Sequence, residues 1–177
     1  MDVREVTPPA DPICAAMGPE GDLVALRFER GCRCFGAWSA SQVVAYGWLS
    51  SGPEWIGELG LQIRPGPGEA YVWNCVTLPE HRRQGVFRSL LRCVMAAAAA
   101  EGLRRLWIGS VEDYADRAIV EAGFKPVLRF RSRTLAGLRR LTVEAAGDAE
   151  PALVDAGLSA ISHPLGAGVL RVKTRRH

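Results

Sequence analysis

Val76-Thr77-Leu78-Pro79-Glu80-His81-Arg82-Arg83-Gln84-Gly85-Val86-Phe87-Arg88-Ser89-Leu90-Leu91 has the order of a strand end, a basic turn holding a glycine, and the first turns of a helix. The leading N–H groups of a helix have no acceptor inside it, and the aligned peptide dipoles put partial positive charge behind them. This order of elements therefore builds an anion site, suited to a pyrophosphate with Gly85 as the point of closest approach. Downstream, Val86, Leu90, Leu91, Val94 and Met95 recur at helical spacing through the alanine run to Ala100, and Gly102 ends the segment. The small side chains of that run permit close packing on a sheet.

Upstream lie four apolar runs, Arg33 to Trp38, Val43 to Ser51, Trp55 to Ile63 and Glu69 to Thr77, each bounded by turn residues. Their β-branched and aromatic content predicts an antiparallel meander of four strands. Alternation along Glu69 to Thr77 sends Val72, Asn74 and Val76 one way and Tyr71, Trp73 and Cys75 the other. Leu23 to Arg30 is expected as a short helix, with Asp22 as N-cap and Gly31 as stop. Residues 1–22 hold Pro8, Pro9, Pro12 and Pro19, a density that predicts an irregular lead-in wrapping the surface. Beyond the central helix, Leu106 to Ile108 is expected as a strand, Glu112 to Ala122 as a helix closed by Gly123, and Phe124 to Thr134 as a further strand. Leu138 to Val143 is expected as a last strand, Glu150 to Ala160 as a small helix, and Arg171 to His177 as a loose basic end. Helix and strand alternate, so the fold class is α/β.

A length of 177 residues suits one compact domain, and 48% hydrophobic with 23% charged residues excludes disorder and fibrous repeats. A net charge of +3 is too small to argue for a nucleic-acid surface. Lys125 and Lys173 are the sole lysines among 22 basic residues, a preference for arginine better read as coding bias than as phosphate recognition. Five cysteines, an odd number, and the absence of an apolar leader or a membrane-spanning run predict a cytoplasmic protein without membrane association.

Arg82-Arg83-Gln84-Gly85-Val86-Phe87 resembles motif A of the GCN5-related N-acetyltransferases, Gln/Arg-x-x-Gly-x-Gly/Ala, with Phe87 where that family has Gly or Ala. Gly123-Phe124 resembles the Gly-Phe that opens a later strand of the family. The resemblance runs from about Arg33 to Val143 and delimits a domain over residues 23–145, with 146–177 as a C-terminal extension. It implies a mixed, mostly antiparallel twisted sheet of six to seven strands flanked by helices. The implied activity is direct transfer of an acyl group from acetyl-CoA, or another acyl-CoA, to an amine of a small molecule or peptide. A homodimer is a family-level expectation.

Residue by residue, the resemblance implies that Arg82, Arg83, Gln84, Gly85, Val86 and Phe87 surround the pyrophosphate, with Arg88 close by. Cys75, Val76 and Thr77 would pair with the pantetheine arm as an added strand. An N–H of the splayed strand before motif A would stabilise the developing oxyanion. The family's acid, a tyrosine four residues before the Gly of Gly-Phe, falls on Ile119. Its upstream Asn-x-x-Ser falls on Glu112 and Ala115, leaving Tyr114 or a water as substitute. A carboxylate on this strand or its neighbour would be the base: Glu69, Glu58 and Glu54 qualify, with His81 a fourth group of suitable chemistry. Glu58, Glu54 and Tyr114 are carried as the catalytic candidates. The alternative is a domain of the same fold that binds acyl-CoA as a sensor or interaction module, motivated by Phe87, Ile119 and the lack of an evident base.

Other features have plainer readings. Cys75 has no triad partners and is assigned to the core. Cys32-x-Cys34 lacks a second pair, so no metal site is expected. Arg129, Arg131 and Arg133 alternate as on a half-exposed strand, with an acidic acceptor or a 3′-phosphate as the other occupant. Trp38, Trp48, Trp55 and Trp73 pack the meander or wall a pocket.

Overall fold

The computed structural model describes residues 1–110, 113–135, 138–162 and 169–173. In chain order its elements are strand β1 (Asp2–Val6), helices α1 (Asp11–Met17) and α2 (Leu23–Glu29), and strands β2 (Arg33–Ser39), β3 (Gln42–Ser50), β4 (Glu54–Ile56), β5 (Leu61–Ile63) and β6 (Glu69–Thr77). Helix α3 (Val86–Ala100), strand β7 (Arg105–Ile108), helix α4 (Asp113–Ala122) and strands β8 (Leu128–Leu135) and β9 (Leu138–Ala145) follow. Helix α5 (Pro151–Ala160) and strands β10 (Ile161–Ser162) and β11 (Val169–Lys173) complete the described chain. The chain divides into two compact units, Met1–Gly52 with Pro65–Gly123, and Pro53–Arg64 with Phe124–His177.

In the first unit one sheet has the order β1-β2-β3-β6-β7. Its first three pairings are antiparallel, and β6 pairs with β7 in parallel across the α3 connection, the long crossover that parallel neighbours require. One face packs on α1 and α2: Ile13, Met17, Val24, Cys34, Tyr46 and Trp48 form a buried cluster joined by Phe28, Trp73 and Val76. On the other face α3 buries Val86, Leu90, Leu91, Val94 and Ala98, the stripe predicted by its spacing.

The lead-in departs from expectation. Asp2 to Val6 is an edge strand running from Asp2 opposite Trp38 to Val6 opposite Cys34, and α1 buries Ile13 completely. Proline density misleads here because Pro12 occupies the first turn of α1, where no intrahelical N–H is needed, and Pro19 sits in a three-residue 3-10 turn. α2 forms as predicted, although Asp22 makes no side-chain capping bond.

The second unit holds two three-stranded sheets, β10-β5-β4 and β11-β9-β8. The run Trp55 to Ile63 is a hairpin of two short strands, with Glu54 opposite Ile63, rather than one strand of the meander. Gly57 and Gly60 break it, Gly60 at φ +63°. The strand expected from Phe124 begins at Leu128. The end expected to be loose contains β11, parallel to β9 from Val169 opposite Arg140 to Lys173 opposite Glu144. Arg129, Arg131 and Arg133 are exposed, as a solvated strand face requires. Among the described residues, no helix is long and apolar enough to cross a membrane.

Candidate functional site

Two irregularities open the C-terminal half of β6. Its pairing with β7 covers only Glu69 to Val72 against Arg105 to Ile108, and no strand pairs with Trp73–Thr77 on that side among the described residues. On the β3 side, Val76 lies opposite Tyr46 and Trp73 opposite Trp48, so Gly47 alone faces both Asn74 and Cys75. This is a β-bulge, and Asn74 takes it up at φ +43°, a region asparagine tolerates better than most residues.

The bulge resets the alternation predicted for β6. Trp73 and Val76 share the α1–α2 face, while Cys75 turns to the α3 side. There a Cβ added at Gly47 would lie 2.7 Å from Cys75 Sγ and 3.3 Å from Leu90 Cδ2, so this position excludes a side chain. Burial pushes the Cys75 thiol up to about 12, against a smaller opposing effect of a backbone hydrogen bond at Trp48. Cys34 is likewise raised by burial to about 12. Cys34 lies in the core, and Cys75, on a half-buried stretch of strand, turns its thiol inward.

After a 3-10 turn over Pro79–His81 the chain bends back on itself. Arg82 Nε donates to Thr77 O at 3.1 Å, and Gln84 Nε2 donates to Glu80 O at 3.1 Å. Arg83 has φ +60° and Gly85 φ +77° as N-cap of α3, with no side chain capping the helix. The first bond of the helix is Ser89 N–H to Gly85 O at 3.1 Å. The N–H groups of Gly85, Val86, Phe87 and Arg88 have no acceptor among the described residues. Arg82, Arg83 and Gln84 are exposed around this end, and Phe87 is half-buried. Arg88 reaches across to α4, where Nη1 donates to Glu121 Oε2 at 2.9 Å. Glu121 also accepts from Arg117 at 2.8 Å; that bond first, helped by the charges of Arg117 and Arg88, lowers its pKa against an opposing effect of desolvation.

On the α1–α2 face of the bulge sits a residue not picked out from the sequence. Arg27 is 6% exposed; its guanidinium lies 4.6 Å from the Trp73 ring and 5.0 Å from the Trp48 ring. Nη1 donates to Asn74 Oδ1 at 2.9 Å, and Nη2 donates to Glu20 Oε2 at 3.0 Å. Phe28 packs edge-on to Trp48 at 5.3 Å. The signals were a lone charge inside Leu23-Val24-Ala25-Leu26-Arg27-Phe28 and an asparagine in mid-strand, where that residue is rare.

The predicted proton-transfer residues are divided between the two units. Glu69 is buried at the start of β6, the end away from the bulge, where it accepts from Arg105, from Trp107 Nε1 at 2.7 Å and from Gly66 N–H at 3.3 Å. It ties β6 to β7 and to the preceding turn. Glu54, buried at the head of β4, and Glu58, exposed in the β4–β5 turn, belong to the second unit. His81 is half-buried in the 3-10 turn. Ile119 is buried on α4. Tyr114 lies in the first turn of α4 with its side chain outside the described residues, and Glu112 lies outside them altogether.

The fold recurs in known proteins. The chain is similar to an aminoglycoside N-acetyltransferase, AAC(6')-Iy, solved with the bisubstrate analogue CoA-S-monomethyl-acetylneamine. They share 15% identity over 75% of this chain and 98% of that one, with a TM-score of 0.55. It is similar to aminoglycoside 6'-N-acetyltransferase AAC(6')-IG of Acinetobacter haemolyticus, at 15% identity, 77% and 95% coverage and a TM-score of 0.53. An acetyltransferase of Trypanosoma brucei matches at 14% identity, 76% and 97% coverage and a TM-score of 0.52. These likenesses show the fold. A search of curated proteins returns no significant match. The model of the acetyltransferase (GNAT) family matches residues 4–121, from within β1 to the next-to-last residue of α4. By that match over two thirds of its length, the chain belongs to the GNAT acetyltransferase family.

Proposed function

We propose that the protein is an acyl-CoA-dependent N-acyltransferase that moves an acetyl group, or a related acyl group, directly to an amine. The observation that carries this reading is the continuity of the unpaired Trp73–Thr77 edge with the glycine turn and the uncapped N-terminus of α3. An extended arm needs the former and a pyrophosphate the latter. Acyl-CoA is the donor substrate. The N–H groups of Gly85, Val86, Phe87 and Arg88 bind its pyrophosphate, and Arg82, Arg83 and Gln84 ring it. Cys75, Val76 and Thr77 pair with the pantetheine arm through their main chain.

In this mechanism the amine nitrogen attacks the thioester carbonyl carbon, forming the C–N bond. A bulge N–H on β6 stabilises the oxyanion, a contribution of about 3 kcal/mol for one such donor. Collapse breaks the C–S bond, and the thiolate leaves with its electron pair. A free thiol has a pKa of about 8.5, so the thiolate departs readily and takes a proton from Tyr114 or water. The amine's proton passes to a base, directly or through water, a role for which the sequence offers Glu54 and Glu58. Both aminoglycoside enzymes among the similar structures support a small-molecule amine as acceptor.

A second reading, a binding module without turnover, draws on Glu69, the sole carboxylate on β6, being saturated by Arg105 and Trp107. The two are separated by incubating the protein with acetyl-CoA and a panel of primary amines and following free thiol together with product mass. The transferase reading predicts an acetylated amine with stoichiometric thiol release. Acetyl-CoA binding without any acetylated product from a broad panel would instead support the module.

A further inference from the structure

We infer that the outer edge of the Arg27 guanidinium is a carboxylate-binding position, so that the acceptor is an amine carrying a carboxylate, of the amino-acid class. The functional half of this statement rests on the proposed acyl transfer; the anion site stands on geometry alone.

Arg27 is buried, and its two edges differ. Nη1 is committed to Asn74 Oδ1, part of the bulged strand itself. Among the described residues Nη2 reaches only Glu20, whose side chain is 55% exposed on a three-residue turn. The counter-ion of a buried charge thus stands half in water, on a short element that gives it little support. A guanidinium has five N–H donors, and its acceptors here are those two oxygens and Met17 Sδ at 4.0 Å. The two indoles stacked against it each carry a further donor, for Nε1 of Trp48 and of Trp73 is buried with no partner among the described residues. Buried donors left unmatched cost stability, and a cluster with donors in excess around a fixed cation is matched by an anion with several acceptor oxygens.

Exchange of the Glu20 carboxylate for that of a ligand keeps Arg27 neutralised throughout, avoiding the large penalty of a bare buried charge. A neutral or purely cationic amine gains nothing from the cluster. Asn74 joins Arg27 to the bulge, so a carboxylate held there places its own amine beside the β6 segment assigned to the reaction. Glu20 is then a built-in competitor, and its removal strengthens binding.

The test compares amino acids with their decarboxylated twins, L-leucine with isopentylamine and L-phenylalanine with phenethylamine, in tryptophan-fluorescence titrations without cofactor. The expected result is saturable quenching at least tenfold tighter for the amino acid of each pair. Glu20→Gln, a surface change that leaves Arg27, Asn74 and both indoles in place, should tighten the amino acids several-fold and leave the amines unmoved. Equal binding of the twins, no saturable change with any of them, or weaker amino-acid binding by Glu20→Gln would overturn the inference. A parallel titration with acetyl-CoA separates the two claims. Amino-acid discrimination without acetyl-CoA binding sinks the acyl-transfer reading but keeps the anion site, and the converse keeps the donor site but removes the acceptor class.

Discussion

Gly85 holds φ +77°, and a Cβ added there meets only the flexible tip of Arg88 at 3.5 Å. Space is not what excludes a side chain. Left-handed backbone costs a non-glycine residue about 1–2 kcal/mol, and any side chain would stand where the α3 N–H groups need their anion. Gly85→Glu adds a negative charge to both effects, which makes it the sharpest single probe of the turn. Cys75, assigned to the core from its lack of triad partners, lays its thiol against Gly47 on the α3 side. With its pKa pushed up to about 12, as is that of Cys34, the thiolate is roughly one part in ten thousand at pH 8. Iodoacetamide at that pH should therefore label half-buried Cys14 well before Cys34 or Cys75, as peptide mapping would read. Rapid modification of Cys75 in the folded protein would contradict the packing described.

At the scale of elements, the β6 bulge does the most to shape the site, and Arg27 holds it. Asn74→Gly keeps the freedom to adopt φ +43° but deletes the oxygen that accepts from Arg27 Nη1. It should destabilise the protein by about 1–3 kcal/mol, the cost of a buried charged donor left unmatched, as urea unfolding would measure. Asn74→Asp keeps the acceptor and should recover most of that loss. If both variants unfold like the parent, the tether does not hold the bulge. α3 was legible from its helical period, and β2, β3 and β6 from apolar runs between turn residues, because burial sets both signals. The bulge was not, since nothing in Tyr71 to Thr77 breaks the alternating pattern except one asparagine. β1 and α1 were hidden behind prolines that a first turn accommodates, and β11 behind a basic, short run whose partner β9 lies about 30 residues earlier in the chain.

Taken whole, the chain places its motif and its open strand edge in one unit, Met1–Gly52 with Pro65–Gly123, and that unit holds nearly all of the family match. The cofactor-loop residues were readable because helix N-termini bind anions by backbone, a property that a glycine turn before an amphipathic helix announces. The proton-transfer residues were not. A carboxylate's role depends on its neighbours in space: Glu69 proves to be bound up by Arg105 and Trp107, and Arg27, invisible as a site residue, sits at the bulge. Binding of a ligand to the native state alone also stabilises the whole fold, by about 2.7 kcal/mol at a hundredfold excess over Kd. The central claim is tested most directly by calorimetric titration of the intact protein and of Gly85→Glu with acetyl-CoA. Saturable binding to the parent, lost in the variant while its unfolding stays cooperative, is the predicted result. Equal binding to both proteins, or none to the parent, would contradict the donor site at the head of α3.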